Sequence, residues 1–201
     1  MMGNVRKAAV AGTWYPDTAA ALSSSVDHHL GIADRTDADV SGDLVALIAP
    51  HAGLTYSGPV AAHAYRLLRG RTFDVAVLVG PSHFVGFDGV SLYASGGFET
   101  PFGITPIDQA CARAIAQASD IVHHHPAAHA REHSLEMQLP FLARLAPALP
   151  IVPLLMGYQA AETVAALGDA LAAALRGRRR VPDSRRAPVA GRPRRNAPHS
   201  R

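Results

Sequence analysis

Cysteine is almost missing from this sequence of 201 residues: Cys111 stands alone, so no disulfide framework can hold the fold together. No apolar run approaches the roughly 20 residues that crossing a bilayer requires. Met1 to Val10 has no apolar h-region, so no secretory signal is read there. Several enzyme signatures are missing too. There is no P-loop, no Gly-x-Gly-x-x-Gly after the first strand, no Gly-x-Ser-x-Gly elbow and no Cys-x-x-Cys. Nucleotide binding, serine nucleophiles and redox dithiols therefore find no support. What is present, 48% hydrophobic and 17% charged residues, is the composition of a globular domain. The expectation is a soluble, cytoplasmic protein with no membrane association.

The net charge of +3 sums two unlike segments. Residues 1–175 hold 9 Lys+Arg against 15 Asp+Glu, a net of −6, which argues against specific nucleic-acid binding. Residues 176–201 hold 10 Arg against one acid, Asp183, a net of +9. The division expected is an α/β domain over 1–175 and a disordered Arg/Pro-rich tail over 176–201. The junction is abrupt. Val164, Leu167, Leu171 and Leu175 recur at helical spacing, and after Arg176 nothing periodic returns. A functional basic tail with affinity for polyanions is one reading. A shifted reading frame is preferred, because a GC-rich gene read out of frame yields Arg, Pro, Gly and Ala.

Hydrophobic patterning orders the body. Asp17 is expected to cap a helix to about Leu30, with Leu22, Val26 and Leu30 on one face. A polar loop over 31–42 precedes Leu44-Val-Ala-Leu-Ile-Ala49, an apolar run typical of a strand buried on both faces. Ser57-Gly-Pro59 is expected to open a helix to about Leu68. Val75-Ala-Val-Leu-Val79 follows as a second buried strand. Strand, helix, strand in so short a span predicts a parallel pair with a right-handed crossover. Further on, the pattern predicts a strand with turns within Gly86–Phe98, helices near 107–118 and 135–145, a strand at Ile151–Met156 and a final helix. Pro140 should kink the second of these helices. The fold class is α/β, a mostly parallel sheet with helices on both faces.

Ligands of open parallel sheets bind beyond the carboxyl ends of the strands. His51 lies two residues past Ala49 and His83 four past Val79, so both belong to one rim. Imidazole is the commonest protein ligand for Zn, Fe, Ni and Cu. Two of them in Pro/Gly-flanked turns at matched strand ends predict half of a metal site. A lone histidine would be read as a polar loop residue. His123-His-His125, His129 and His133 form a second tract, for which a solvated loop is favoured over independent metal binding. Ser134 reads as a helix cap, which leaves His133 just outside the helix. Glu132, His133 and Glu136 are the candidates for polar, catalytic groups lining the main site. Trp14 and Tyr15 follow Gly12 and are read as pocket cover or, equally, as packing aromatics. Cys111, among alanines of a helix, reads as a packed core thiol.

Several stretches together resemble a known family. They are Val5-Arg-Lys-Ala-Ala-Val-Ala-Gly-Thr-Trp-Tyr-Pro16, Ala49-Pro-His-Ala-Gly53 with Tyr56-Ser-Gly58, Gly80-Pro-Ser-His83, Glu99-Thr-Pro-Phe-Gly103 with Asp108, and Glu132-His-Ser-Leu-Glu136. In this order and spacing they are similar to the Memo family, whose microbial members are called AmmeMemoRadiSam system protein B. The resemblance covers about residues 5–175.

It implies a fold like that of class III extradiol ring-cleaving dioxygenases and a pocket in which His51 and His83 match metal ligands. Tyr56 and Trp14 would line the substrate pocket. It implies iron foremost as the metal, with copper or zinc as alternatives. It also implies radical-SAM and AMMECR-type proteins as partners, with a small-molecule or peptide ligand. The family further has a later histidine in a Ser-Asp-x-x-His stretch and a cysteine near its C-terminus. Neither stands in this sequence, which implies a C-terminally truncated domain with impaired activity. The functions in competition are a redox-active, dioxygenase-like metal protein, a metal-binding adaptor without turnover, and a metal-assisted hydrolase.

Overall fold

The computed structural model describes residues 4–35 and 42–176. Along them run β1 (Val5–Arg6), α1 (Ala19–Ala33), α2 (Leu54–Tyr65), β2 (Ala76–Pro81), β3 (Val90–Leu92), β4 (Gly97–Thr100) and β5 (Gly103–Pro106). Then come α3 (Gln109–Ala118), β6 (Val122–His124), α4 (Leu139–Leu145), β7 (Ile151–Met156) and α5 (Ala161–Ala174). The tail of 176–201, expected to be disordered, lies outside the described residues apart from Arg176.

The apolar run Ile151-Val-Pro-Leu-Leu-Met156 forms the strand on which the domain is built. All six residues are buried, as a strand covered on both faces requires. It sits inside a four-stranded sheet of order β2-β7-β3-β6. β2 runs parallel to β7, with Ala76 opposite Ile151 and Pro81 opposite Met156. β3 is antiparallel to β7, and β6 is parallel to β3. The sheet is therefore mixed, with two of its three pairings parallel. A smaller sheet, β1-β4-β5, lies apart; its β4–β5 hairpin turns at Gly103, whose φ of +112° suits a residue without Cβ.

Two groups of helices cover this frame. In one, α1 packs on α2 and α4; in the other, α3 packs on α5 and on β7. Helix α1 buries Leu22, Val26, Leu30 and Ala33, a stripe of i+4 and i+3 steps on one face. Its cap is Thr18, whose side chain accepts from the Ala21 amide at 3.4 Å, and not Asp17. The helix continues to Ala33, because Ala33 keeps the buried stripe going. Cys111 is wholly buried in α3, as a core thiol should be.

The structure corrects several expectations. Leu44–Ala49 joins no β-ladder. Val45 is 74% and Ile48 97% exposed, so the segment lacks the covering layer that a strand buried on both faces needs. Leu44–Leu47 instead flanks β2 across a trough of about 260 Å³ lined also by Tyr65, Leu68, Phe73 and Val77. The predicted parallel pair of strands around α2 is thus absent among the described residues. Helix α2 begins at Leu54 with Gly53 as its cap, leaving Pro59 inside it. Ser57 donates back to the Ala52 carbonyl at 2.8 Å rather than capping. Pro140 falls in the first turn of α4, where its missing amide has no helical partner to lose, so it starts that helix rather than kinking it. The short strands β1, β5 and β6 were not legible, having too few residues to show a period. No described helix is long and apolar enough to cross a membrane.

Candidate metal centre

β2 ends at Pro81, so His83 stands two residues past the strand. The Ser82 amide donates to the Met156 carbonyl at 2.8 Å, and the Ser82 hydroxyl donates to Val85 O at 2.7 Å. These bonds continue the β2–β7 seam into the turn and aim His83 over the sheet rim. The loop over 132–135 is sewn to the same place. Ser134 Oγ donates to Pro81 O at 2.9 Å, and a Cβ on Gly80 would lie 2.8 Å from Leu135 Cδ2. Ser134 thus spends its hydroxyl on β2 and caps no helix.

Glu132 ties the two loops together. Its Oε2 accepts from the His83 amide at 2.6 Å; its Oε1 accepts from His83 Nδ1 at 2.9 Å and from the His133 and Ser134 amides at 2.8 and 2.9 Å. Burial pushes the Glu132 carboxyl up, but these hydrogen bonds outweigh it and bring the pKa down to about 2. The carboxylate is fixed as the charged acceptor, and His83 keeps only Nε2 for another partner.

His51 arrives from the other side, on the turn between Leu44–Ala49 and α2. The Leu54 amide donates to Trp14 O at 2.8 Å, and Gln138 Nε2 reaches Pro50 O at 3.5 Å. Ring centroids lie 5.3 Å apart for His51 and His83, 4.6 Å for His83 and His133, and 6.0 Å for His51 and His133. One ligating nitrogen from each of the three lies within 4.8 Å of the others. Nitrogens sharing a tetrahedral ion would be roughly 3.4 Å apart, so the three stand near the spacing one ion would need.

The donor chemistry fits an ion. Burial lowers the pKa of His51 and of His133, favouring the neutral ring that a metal requires. His133 Nδ1 is buried without a hydrogen-bond partner. The sequence found the pair His51 and His83; the third member, His133, it placed only among groups lining the site. The signal available was its adjacency to Glu132 in a loop with no helix to bury it.

The remaining candidates separate clearly. The Trp14 ring packs on that of His133, with centroids 4.2 Å apart. Tyr56 is 84% exposed on the first turn of α2 and outside the histidine group. Tyr15 is buried and donates to Glu136 Oε1 at 2.6 Å. Glu136, wholly buried, also accepts from the Ala9 and Val10 amides and pairs with the buried Arg6 guanidinium. It anchors the N-terminal segment and has no acceptor left for chemistry. Arg6 goes on to donate to the His129 and Glu132 carbonyls. Sequence reasoning gave Arg6 no role, since nothing in a short N-terminal strand announces a buried cation. Of the histidine tract, His123 and His124 are exposed on β6, and His129 is buried with Nε2 donating to Ser91 O at 3.1 Å.

A family model described as Memo-like protein matches residues 6–182. Among curated proteins, a MEMO1 family protein of Methanothermobacter thermautotrophicus is 39% identical over 177 residues, covering 86% of this chain and 64% of its own length. One from Methanobrevibacter smithii is 37% identical over 180 residues, covering 86% and 63%. One from Aeropyrum pernix is 39% identical over 163 residues, covering 77% and 58%. The chain spans less than two thirds of the length of these relatives. With a match over nearly the whole described body and identities well above 30%, the chain belongs to the Memo family.

Proposed function

We propose that this chain binds a divalent transition metal through His51, His83 and His133, iron foremost and copper or zinc as alternatives, in a pocket that serves dioxygenase-like redox chemistry on a small molecule. The observation that carries the reading is the meeting of three imidazoles from three separate turns, two of them locked through Glu132. Three neutral imidazoles suit Fe, Cu and Zn better than Mg or Ca. An ion held so would leave coordination positions open and would act on a ligand as a Lewis acid or redox centre.

The chain's own residues do the rest. Glu132 holds the Nδ1 proton of His83 and so fixes the tautomer presented to the ion. Trp14 shields the His133 ring. Metal-assisted hydrolysis is the weaker reading, because it needs a carboxylate free to take a proton. The Glu132 and Glu136 carboxylates are both committed to several donors. Binding without turnover is the adaptor alternative. Action alongside radical-SAM and AMMECR-type proteins is part of the same proposal, resting on family likeness alone.

The test is metal analysis and titration of the purified chain beside His51→Ala, His83→Ala and His133→Ala, with O₂ uptake measured on the Fe(II)-loaded form. One ion per chain, weakened by each substitution, with O₂ consumed, supports the reading. Uptake indifferent to all three substitutions would overturn the site. Tight binding with no O₂ uptake would leave the adaptor.

A further inference from the structure

Beside the histidine cluster stands a cation to which the metal reading gives no work. Phe84, one residue past His83, is half exposed, and its ring centroid lies 5.9 Å from that of His133. Over the Phe84 ring, at 5.0 Å, sits the guanidinium carbon of Arg131, itself exposed. Among the described residues no carboxylate lies within ion-pair range of Arg131. The nearest acid in sequence, Glu132, has both oxygens taken by amides and His83. Arg131 is thus held beside the cluster by an aromatic face rather than by a counter-ion.

The rim around it is flat and apolar: Trp14 on one flank of His133, Phe84 on another. Charge points the same way. Three neutral imidazoles cancel none of an ion's two positive charges, and Glu132 supplies one negative charge from behind. A loaded site would attract anions, with Arg131 adding a second cation at the edge.

Resting on the metal reading above, we propose that the pocket takes an aromatic or similarly flat apolar carboxylate, its ring against Trp14 and Phe84, and that Arg131 is the residue selecting the carboxylate. Arginine suits this task, since its planar fork meets a carboxylate with two parallel hydrogen bonds while its face stays on the Phe84 ring. A guanidinium set on an aromatic with no counter-ion therefore has donors available for a planar anion.

The experiment uses Zn(II), which binds imidazole without redox side reactions. Uptake by the full chain is followed through the fluorescence of Trp14, its one tryptophan. Calorimetric titrations of the Zn(II)-loaded protein then compare 4-hydroxybenzoate, the neutral 4-hydroxybenzamide, and acetate as a small anion. Wild type should bind the benzoate about 10-fold tighter than the amide, on the order expected of a charge-assisted pair. In Arg131→Gln that ratio should fall several-fold, to what the ion's own charge supplies, and Arg131→Lys should restore part of the loss. A ratio unchanged in Arg131→Gln would overturn the proposal, since the metal alone would then be taking the anion. So would acetate binding as tightly as the benzoate, because the aromatic rim would then contribute nothing. A chain that takes up no Zn(II) removes the metal reading and this one with it. Zn(II) uptake without benzoate preference removes only this one.

Discussion

Glu132 Oε1 accepts the Nδ1 proton of His83 across 2.9 Å while also receiving the His133 amide. One carboxylate therefore sets the orientation of one candidate ligand and the backbone of the next. Loss of such a partner commonly weakens metal affinity 10- to 100-fold. Glu132→Gln should bind Zn(II) about 10-fold to 100-fold more weakly than wild type, with the circular dichroism spectrum retained. Affinity equal to wild type would show that His83 needs no such orientation.

Arg6 and Glu136 form an ion pair shut away from solvent, with side-chain exposures of 3% and 0%. Removing one member strands a buried charge, a change that typically costs about 3–5 kcal/mol. Arg6→Met should destabilise the fold by that order in urea unfolding, and Glu136→Gln should do so as well. The double variant Arg6→Met/Glu136→Gln should lose less than the two single losses together, since the charges disappear as a pair.

His129 is buried, and burial brings its pKa down from the ordinary 6.5 to about 4. The fold accepts the neutral ring, so this contribution is complete above pH 6.5 and disappears as pH falls toward 4. With chelator present, wild type should lose on the order of 3 kcal/mol across that window through His129. His51 and His133 are shifted the same way, so the decisive comparison is with His129→Gln, whose pH dependence should be shallower over the same range. Parallel curves would refute the assignment.

Gly157 follows β7, and its amide donates to Gly89 O at 3.2 Å. A Cβ there would collide with the Phe87 carbonyl oxygen, which is backbone and cannot swing aside. Gly157→Ala should therefore lower stability by about 1–3 kcal/mol or more. Ile48→Ser, at a side chain almost wholly in solvent, should stay within about 0.5 kcal/mol of wild type. A large loss at Ile48 would mean that its side chain is covered after all.

Much of the frame was legible because it is written in long apolar periods. Ile151–Met156 was read to the residue, and the stripe Leu22, Val26, Leu30 identified the first helix. Leu44–Ala49 carried the same signal and does not form a ladder, because hydrophobicity reports what could be buried, not whether a covering layer is there. The His51–His83 meeting was expected from two matched strand ends, yet only His83 follows a strand; His51 reaches the cluster on a turn that no ladder precedes, so half of the premise fell while the two rings still meet. His133 could not be placed by the same reasoning, because it reaches the cluster through a loop whose path is set by Glu132 and Ser134, contacts made across some 50 residues. Arg6 was beyond reach for a like reason, since its partners lie more than 120 residues away.

The failure of Leu44–Ala49 to join the sheet has a bearing on how an ion would be held. His83 and His133 stand on parts of the molecule bolted together through Glu132 and Ser134, whereas His51 hangs from a stretch that no ladder restrains. An ion would thus take two of its ligands from loops cross-linked through Glu132 and Ser134 and the third from a turn that a few single hydrogen bonds, rather than a ladder, keep in place.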